Sequence, residues 1–476
     1  MLEKIFFCAL LGSLALCSIL PAQTNPYGLK VDKRKALFSL IGNERPGEVA
    51  LAVKPHSGND TGVRGPGTPV MTSWYDLGSN GGSLTNLVDY GDGTVAFARM
   101  GAKLQDKSDR GTFYSYYKNG SFGPVNKVEA QYRGWSNVAA LTDGREVVVS
   151  HTGAAGGLEV NIDAAKGFGL WTSVLTGSMP GPKILWPRFT INSSNHIIIC
   201  STTDGALAGV TNIKQVARSL NNGATWTHQL LRPDTTVRTP RFATDDQAIA
   251  SLGNKVAIAV AELGGDIHLW ESANHGASFS YRNVTKYGAT IPKGAQETRP
   301  WRACEVIYDK IGNVHIFWEA VLAVADSNGA EQAGIDLFHN RKVGIHHWSA
   351  ASGIRQAVSW SKIPTASLES DANLFRAGEP FDQINANNTL TAQPQAGIDA
   401  AGNLYLMFSA YRPLDFDTDF THFTDIYVTG SGDGGRTWGQ VGNVSNTPRL
   451  YEEATRGTRF LITFAVEGKN SVSFQG

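Results

Sequence analysis

The sequence predicts an all-β fold, a β-propeller, on three observations. Charged residues make up only 18% of the 476 residues, whereas glycine (52), tryptophan (11), tyrosine (14) and phenylalanine (21) are plentiful, which suits many short strands joined by tight turns. Three octapeptides share one template: Ser, any residue, Asp or Asn, any residue, Gly, any residue, Thr or Ser, then Trp or Phe. Short apolar strand pairs split by Gly- or Asn-containing turns recur along the chain, with a step of about one four-stranded propeller blade.

Taken in order, the chain opens with Met1-Leu2-Glu3-Lys4, an apolar run from Ile5 to Leu20, and Pro21-Ala22-Gln23-Thr24. That layout predicts a signal peptide over 1–23, cleaved near Ala22 or Gln23, and so a secreted, extracellular or cell-surface protein. The run is shorter than the roughly 20 apolar residues a spanning helix needs, and no later segment is apolar enough to cross a bilayer. Residues 24–47 then form an N-terminal extension and 48–476 a single propeller domain. Cys8 and Cys17 leave with the signal peptide. Cys200 and Cys304 remain in strand-like apolar runs, where an oxidising compartment permits a disulfide and two buried free thiols are the plainer expectation. No metal site is read from them.

The inner hairpins follow as Thr85 to Met100, Val138 to Ser150, Phe189 to Cys200, Ala248 to Ala261, Ala303 to Trp318, Gly397 to Phe408 and Thr458 to Val466. Each combines alternation with turn chemistry. Seven hairpins predict seven blades, with six as the alternative count. The step lengthens at Leu322 to Gly334 and Ser361 to Gln393, where loops are inserted. The last hairpin lacks outer strands of its own, so residues from about Glu48 to Tyr75 are expected to complete that blade and remove an open sheet edge.

The octapeptides are Ser219 to Trp226, Ser272 to Phe279 and Ser431 to Trp438, each after a strand-like stretch. In such a turn the Asp or Asn side chain accepts backbone N–H groups, Gly takes the positive-φ position, and the hydroxyls close further bonds. They are fold markers, not chemistry.

Lys+Arg and Asp+Glu balance at 42 each, so no long-range field favours nucleic acid or an anionic membrane. The residues leading into the inner strands are instead distinctive: Arg133-Gly134-Trp135-Ser136-Asn137, Leu185-Trp186-Pro187-Arg188, Arg299-Pro300-Trp301-Arg302, Gln393-Pro394-Gln395 and Tyr451-Glu452-Glu453-Ala454-Thr455-Arg456. Aromatic faces and Arg forks converging on one opening suit a carbohydrate with an acidic substituent. Trp135, Trp186, Arg188, Arg299, Arg302 and Arg456 are therefore the candidate substrate-binding residues. Blade packing and backbone bonding are the structural alternative for each.

The octapeptides resemble the Asp-box (BNR repeat) of the sialidase-like propeller superfamily, where they lie between the outer two strands of a blade, away from the catalytic face. The resemblance implies three arginines on a carboxylate, a Tyr activated by a Glu, and an Asp acid/base. Arg188, Arg302 and Arg456 fit the first set, and Tyr451 with Glu452 or Glu453 the second. No Arg-Ile-Pro motif precedes the first blade and no Asp is marked as the acid. Propellers of this broad kind that act on uronic-acid polysaccharides use His, Tyr and Arg, which directs attention to His151 and His56. His346 and His347 sit side by side in a strand, so their rings should face opposite sides. Asp415, Asp417 and Asp419 alternate as in a calcium loop, yet without an EF-hand Gly or terminal Glu a solvated acidic loop is the simpler expectation. The chain also resembles secreted propeller proteins of Bacteroidetes-type bacteria.

Two functions follow as expectations. One is a monomeric, exported propeller that recognises glycan, as a glycoside hydrolase of exo-sialidase type, as a uronic-acid polysaccharide lyase, or by binding alone. The other is a non-catalytic surface or adhesion propeller whose loops Val321 to Gly334 and Pro364 to Gln393 hold a protein partner.

Overall fold

The computed structural model describes residues 68–75, 78–153, 157–292, 295–325, 335–338, 343–363, 389–416, 422–445, 452–457, 463–466 and 470–473. Among them every regular element is a strand except one 3-10 turn, Trp360–Lys362. No helix in these residues is long and apolar enough to cross a membrane.

The strands form a propeller of antiparallel sheets, each running from an innermost to an outermost strand. The second sheet orders Gly134–Ala140, Glu146–His151, Leu158–Asp163 and Trp171–Leu175, and the third Ile184–Ile191, Ile197–Thr203, Lys214–Ser219 and Thr227–Leu230. The fourth repeats this with Gln247–Leu252, Lys255–Ala261, Ile267–Ser272 and Ser280–Asn283. In the fifth, Gln296–Tyr308 and Val314–Ala325 are lengthened and carry the extra strand Ile335–Phe338 before Gly344–Ser349 and Gly353–Ser359. The sixth is Thr391–Ile398, Leu404–Phe416, His422–Ser431 and Gly442–Asn443.

The first sheet, Thr85–Asp89, Val95–Gly101, Gly111–Lys118 and Ser121–Phe122, continues into a second antiparallel run. Thr85 and Leu87 pair in parallel with Arg456 and Gly457 of Glu452–Gly457, which pairs with Thr463–Val466, then Asn470–Ser473, then Thr68–Met71. Among the described residues the ring therefore counts six blade sheets, the alternative count, because the final hairpin bonds edge to edge with the first blade. That hairpin also begins earlier than its apolar pattern implied, at Glu452.

The core lies between sheets. One cluster joins Val147, Val149 and Val160 of the second sheet to Phe189, Ile197 and Ile199 of the third. Others join third to fourth, fourth to fifth and fifth to sixth in the same way. A strand covered on both faces has no solvent side, so Val95–Gly101 and Ile197–Thr203 are buried at every residue and their alternation is muted.

The three octapeptides occupy the turn between the third and fourth strands and share one hydrogen-bond pattern. The Oγ atoms of Ser219, Ser272 and Ser431 accept the N–H of Gly223, Gly276 and Gly435 at 2.8, 2.9 and 2.9 Å. Asn221, Asn274 and Asp433 accept the N–H of Thr225, Ser278 and Thr437 at 2.9, 3.0 and 2.9 Å. Trp226 and Trp438 return their indole N–H to the carbonyls of Gly223 and Gly435.

Candidate functional site

Bulges at the starts of the inner strands position the predicted residues. The ladder slips between Gly134 and Asn137, Leu185 and Arg188, Pro300 and Cys304, and Ala392 and Gln395. Trp135, Trp186 and Gln393 then adopt φ of 52°, 52° and 55°, a conformation that costs a non-glycine residue about 1 kcal/mol. The N–H each bulge frees is caught by the preceding sheet. Trp135 donates to Met100 Sδ at 3.1 Å, Trp186 to His151 Nδ1 at 3.2 Å and Gln393 to Glu319 Oε1 at 2.8 Å. Met100, His151 and Glu319 are each the sixth residue of a second strand, so one clamp recurs with three chemistries. Because His151 Nδ1 accepts, its ring proton sits on Nε2.

At the axis these bulges meet a hub. Asp245 Oδ2 accepts Ser79 Oγ at 2.6 Å, the Asn80 N–H at 3.1 Å and the Trp135 indole N–H. Arg188 Nη2 pairs with Asp245 Oδ1 at 2.6 Å and also reaches the carbonyl of Gly82, while Nη1 donates to Pro187 O at 3.2 Å. The Arg188 and Asp245 side chains retain 6% and 0% exposure, so the pair is desolvated and held by its surrounding bonds. The segment from Ser79 to Ser83 lies over this pair, and only glycine fits where it does: a Cβ on Gly81 would stand 2.0 Å from Asp245 O. Next to the hub, Lys214 and Asp246 form a second buried ion pair. Burial raises the Asp246 carboxyl against the pull of Lys214, and lowers the Arg302 guanidinium against Asp246, Glu319 and Asp245. Burial also pushes the Glu319 carboxyl up to about 8 despite the N–H donors of Gln393 and Ala303. A cavity of ≈ 20 Å³, lined by Ser83, Thr85, Asn137, Arg188, Gln247 and Glu305 among others, has room for about one water molecule.

The structure brings Trp135, Trp186, Arg188 and His151 together, all buried. Trp135 stacks on His151 with centroids 5.5 Å apart, and Trp186 meets His151 edge-on at 6.3 Å. Arg299 is elsewhere, forked on Glu297 at 3.0 and 2.8 Å with Nη1 on the carbonyls of Gly264 and Gly288. Arg302 keeps partial exposure beside Trp301. Glu452 and Arg456 lie on the backbone of the strand that meets the first sheet, their side chains outside the described residues, as is Tyr451 entirely. His56, Asp417 and Asp419 also lie outside the described residues, and Asp415 is placed by backbone alone. His346 and His347 do face opposite ways: His346 packs on Trp318 and His347 on His315 and Phe317. Cys200 and Cys304 are buried free thiols, and burial lifts that of Cys200 to about 12.

Sequence reasoning missed Asp245, Glu319, Tyr75 and Arg110. Arg110 Nη1 donates to Tyr75 Oη at 3.2 Å, and its guanidinium lies 5.0 and 4.2 Å from the ring centres of Tyr75 and Tyr132. A Cβ on Gly134 would stand 2.6 Å from His151 Nε2 and 3.0 Å from Arg110 Nη2, so a histidine and an arginine that is hydrogen-bonded to Tyr75 meet at that glycine. The adjacent acidic pair Asp245-Asp246, leading straight into an apolar strand, was the available sequence signal.

No protein-family model matches this chain, and no curated protein matches it. Two solved structures of an ulvan lyase, described as a new family of polysaccharide lyase, are similar in fold. One, bound to -[GlcA(1-4)Rha3S]-, has a TM-score of 0.51 at 10% identity, and the other 0.53 at 10%. In both, 86% of this chain and 95% of that chain are covered. The NanB sialidase of Streptococcus pneumoniae matches with a TM-score of 0.38 at 9% identity, over 75% of this chain and 68% of that one. At 10% identity the likeness to the ulvan lyase structures is one of architecture: this chain is an all-β propeller.

Proposed function

We propose that this protein is an exported propeller that binds glycan and does not turn it over at its axis. The observation that carries the second half is the locked hub. Arg188, Trp135 and His151, which would have to meet substrate, are buried and already bonded to Asp245, Gly82 and Trp186. The glycan half is supported by the architecture shared with the ulvan lyase structures, one of which holds a uronic-acid oligosaccharide. A second reading is favoured by the meeting of His151 and Arg110 at Gly134, with Tyr75 bonded to Arg110. In a β-eliminating lyase these types would neutralise a uronate carboxylate and move the proton.

The test is to incubate the mature protein with sialosides and with a panel of neutral and uronic-acid polysaccharides. Binding is read by calorimetry and products by chromatography. Binding without product is expected. Product that disappears in His151→Ala would replace the binding reading with the lyase, and failure to bind any glycan would end both.

A further inference from the structure

We infer that the glycan is taken on the rim of the first blade, at Trp74, Lys107 and Tyr132, and that it is an acidic polysaccharide. The inference rests on the glycan reading above and adds its location and chemical class. Trp74 is 47% exposed, yet its mount is rigid. Its N–H donates to Ala102 O at 2.8 Å, and the Ser73 hydroxyl accepts the N–H of both Tyr75 and Ala102 at 3.0 and 2.9 Å. The bonds fix the backbone that carries the ring, so a sugar stacking on it has only the two side-chain torsions of the tryptophan to order.

The neighbouring loop is equally determined. The Asp109 carboxylate accepts the N–H of Lys103 and Leu104, each at 3.0 Å, and Asp106 accepts that of Ser108 at 3.0 Å. These carboxylates are occupied with the loop's own backbone. Lys107, at φ 58°, stands with Nζ 5.9 Å from the ring centre of Tyr75 and has no carboxylate partner among the described residues. The Tyr132 ring, partly exposed, closes the far side of the Arg110 guanidinium at 4.2 Å. Trp74 precedes Tyr75 in the chain, and Tyr75 and Arg110 link Lys107 to Tyr132. Two aromatic side chains and an ammonium with no carboxylate partner among the described residues match a chain of pyranose rings that carries carboxylates or sulfates.

The full mature chain is titrated with polygalacturonate and with the same polymer after carboxyl reduction, beside Trp74→Ala and Lys107→Asn. Asparagine is chosen because it tolerates the left-handed conformation at that position. Thermal unfolding checks that both variants fold. The polyuronate should bind the wild type more tightly than its reduced form. Trp74→Ala should weaken both polymers about tenfold, and Lys107→Asn should abolish the preference for the acidic one. Wild-type affinity in Trp74→Ala, or equal affinity for the two polymers, overturns the inference while leaving glycan binding intact. A wild type that binds neither of these polymers but does bind another member of the panel also overturns it, and one that binds no glycan at all removes the reading beneath it.

Discussion

Arg188 and Asp245 form a buried ion pair at the axis whose loss has a large energetic consequence. Removing the guanidinium strands a fully buried carboxylate, and a buried pair broken from one side costs about 3–5 kcal/mol. Arg188→Ala should therefore lower stability to urea by that amount, and a variant as stable as wild type would mean Arg188 is free for a ligand after all. The residue types at this place could be read from the chain, because Trp and Arg recur where inner strands begin. Their direction could not. A bulge shifts the register by one residue and reverses the face a side chain presents. Pro187 in Leu185-Trp186-Pro187-Arg188 is compatible with an edge, a strand start or a bulge alike and does not by itself announce the slip. Asp245 is less legible still, since its partners Ser79, Trp135 and Arg188 come from three other parts of the chain.

Among elements, the octapeptide turns and the clamped bulges are a contrast in legibility. Every bond of a Ser219-type turn closes within eight residues, so its sequence states its geometry. The clamp between Glu319 and Gln393 spans 74 residues and joins the fifth sheet to the sixth. It makes a prediction about pH. Burial lifts Glu319 from 4.5 to about 8, so the folded chain keeps a proton that the unfolded chain gives up between those values. The stability this provides is complete below the unfolded value and is lost as pH rises through about 8, with a slope of at most about 1.4 kcal/mol per pH unit. Glu319→Gln should flatten that slope in urea titrations from acid to neutral pH, even though it weakens the clamp at every pH. An unchanged slope would place the titration elsewhere.

For the whole molecule, the repeat step made the propeller legible and left its count open. The six hairpins from Thr85 to Phe408 each head their own sheet, but whether the last hairpin forms another is a matter of how the first and last described strands meet. The pairing of Thr68, Pro69 and Met71 with Ser473, Val472 and Ser471 is that meeting. Deleting the chain from Asn470 onward should bare the edge of Thr463–Val466 and leave Thr68–Met71 without its partner. A lower melting temperature and self-association in light scattering are expected, and a monodisperse truncated chain of unchanged melting temperature would show that this strand is dispensable.

The same meeting of ends imposes an order in time. Thr68–Met71 is synthesised long before Asn470–Ser473 and must wait for that strand before it can pair, so the ring closes late. Under the export proposed above, that delay would keep the closed ring from forming ahead of passage through a membrane.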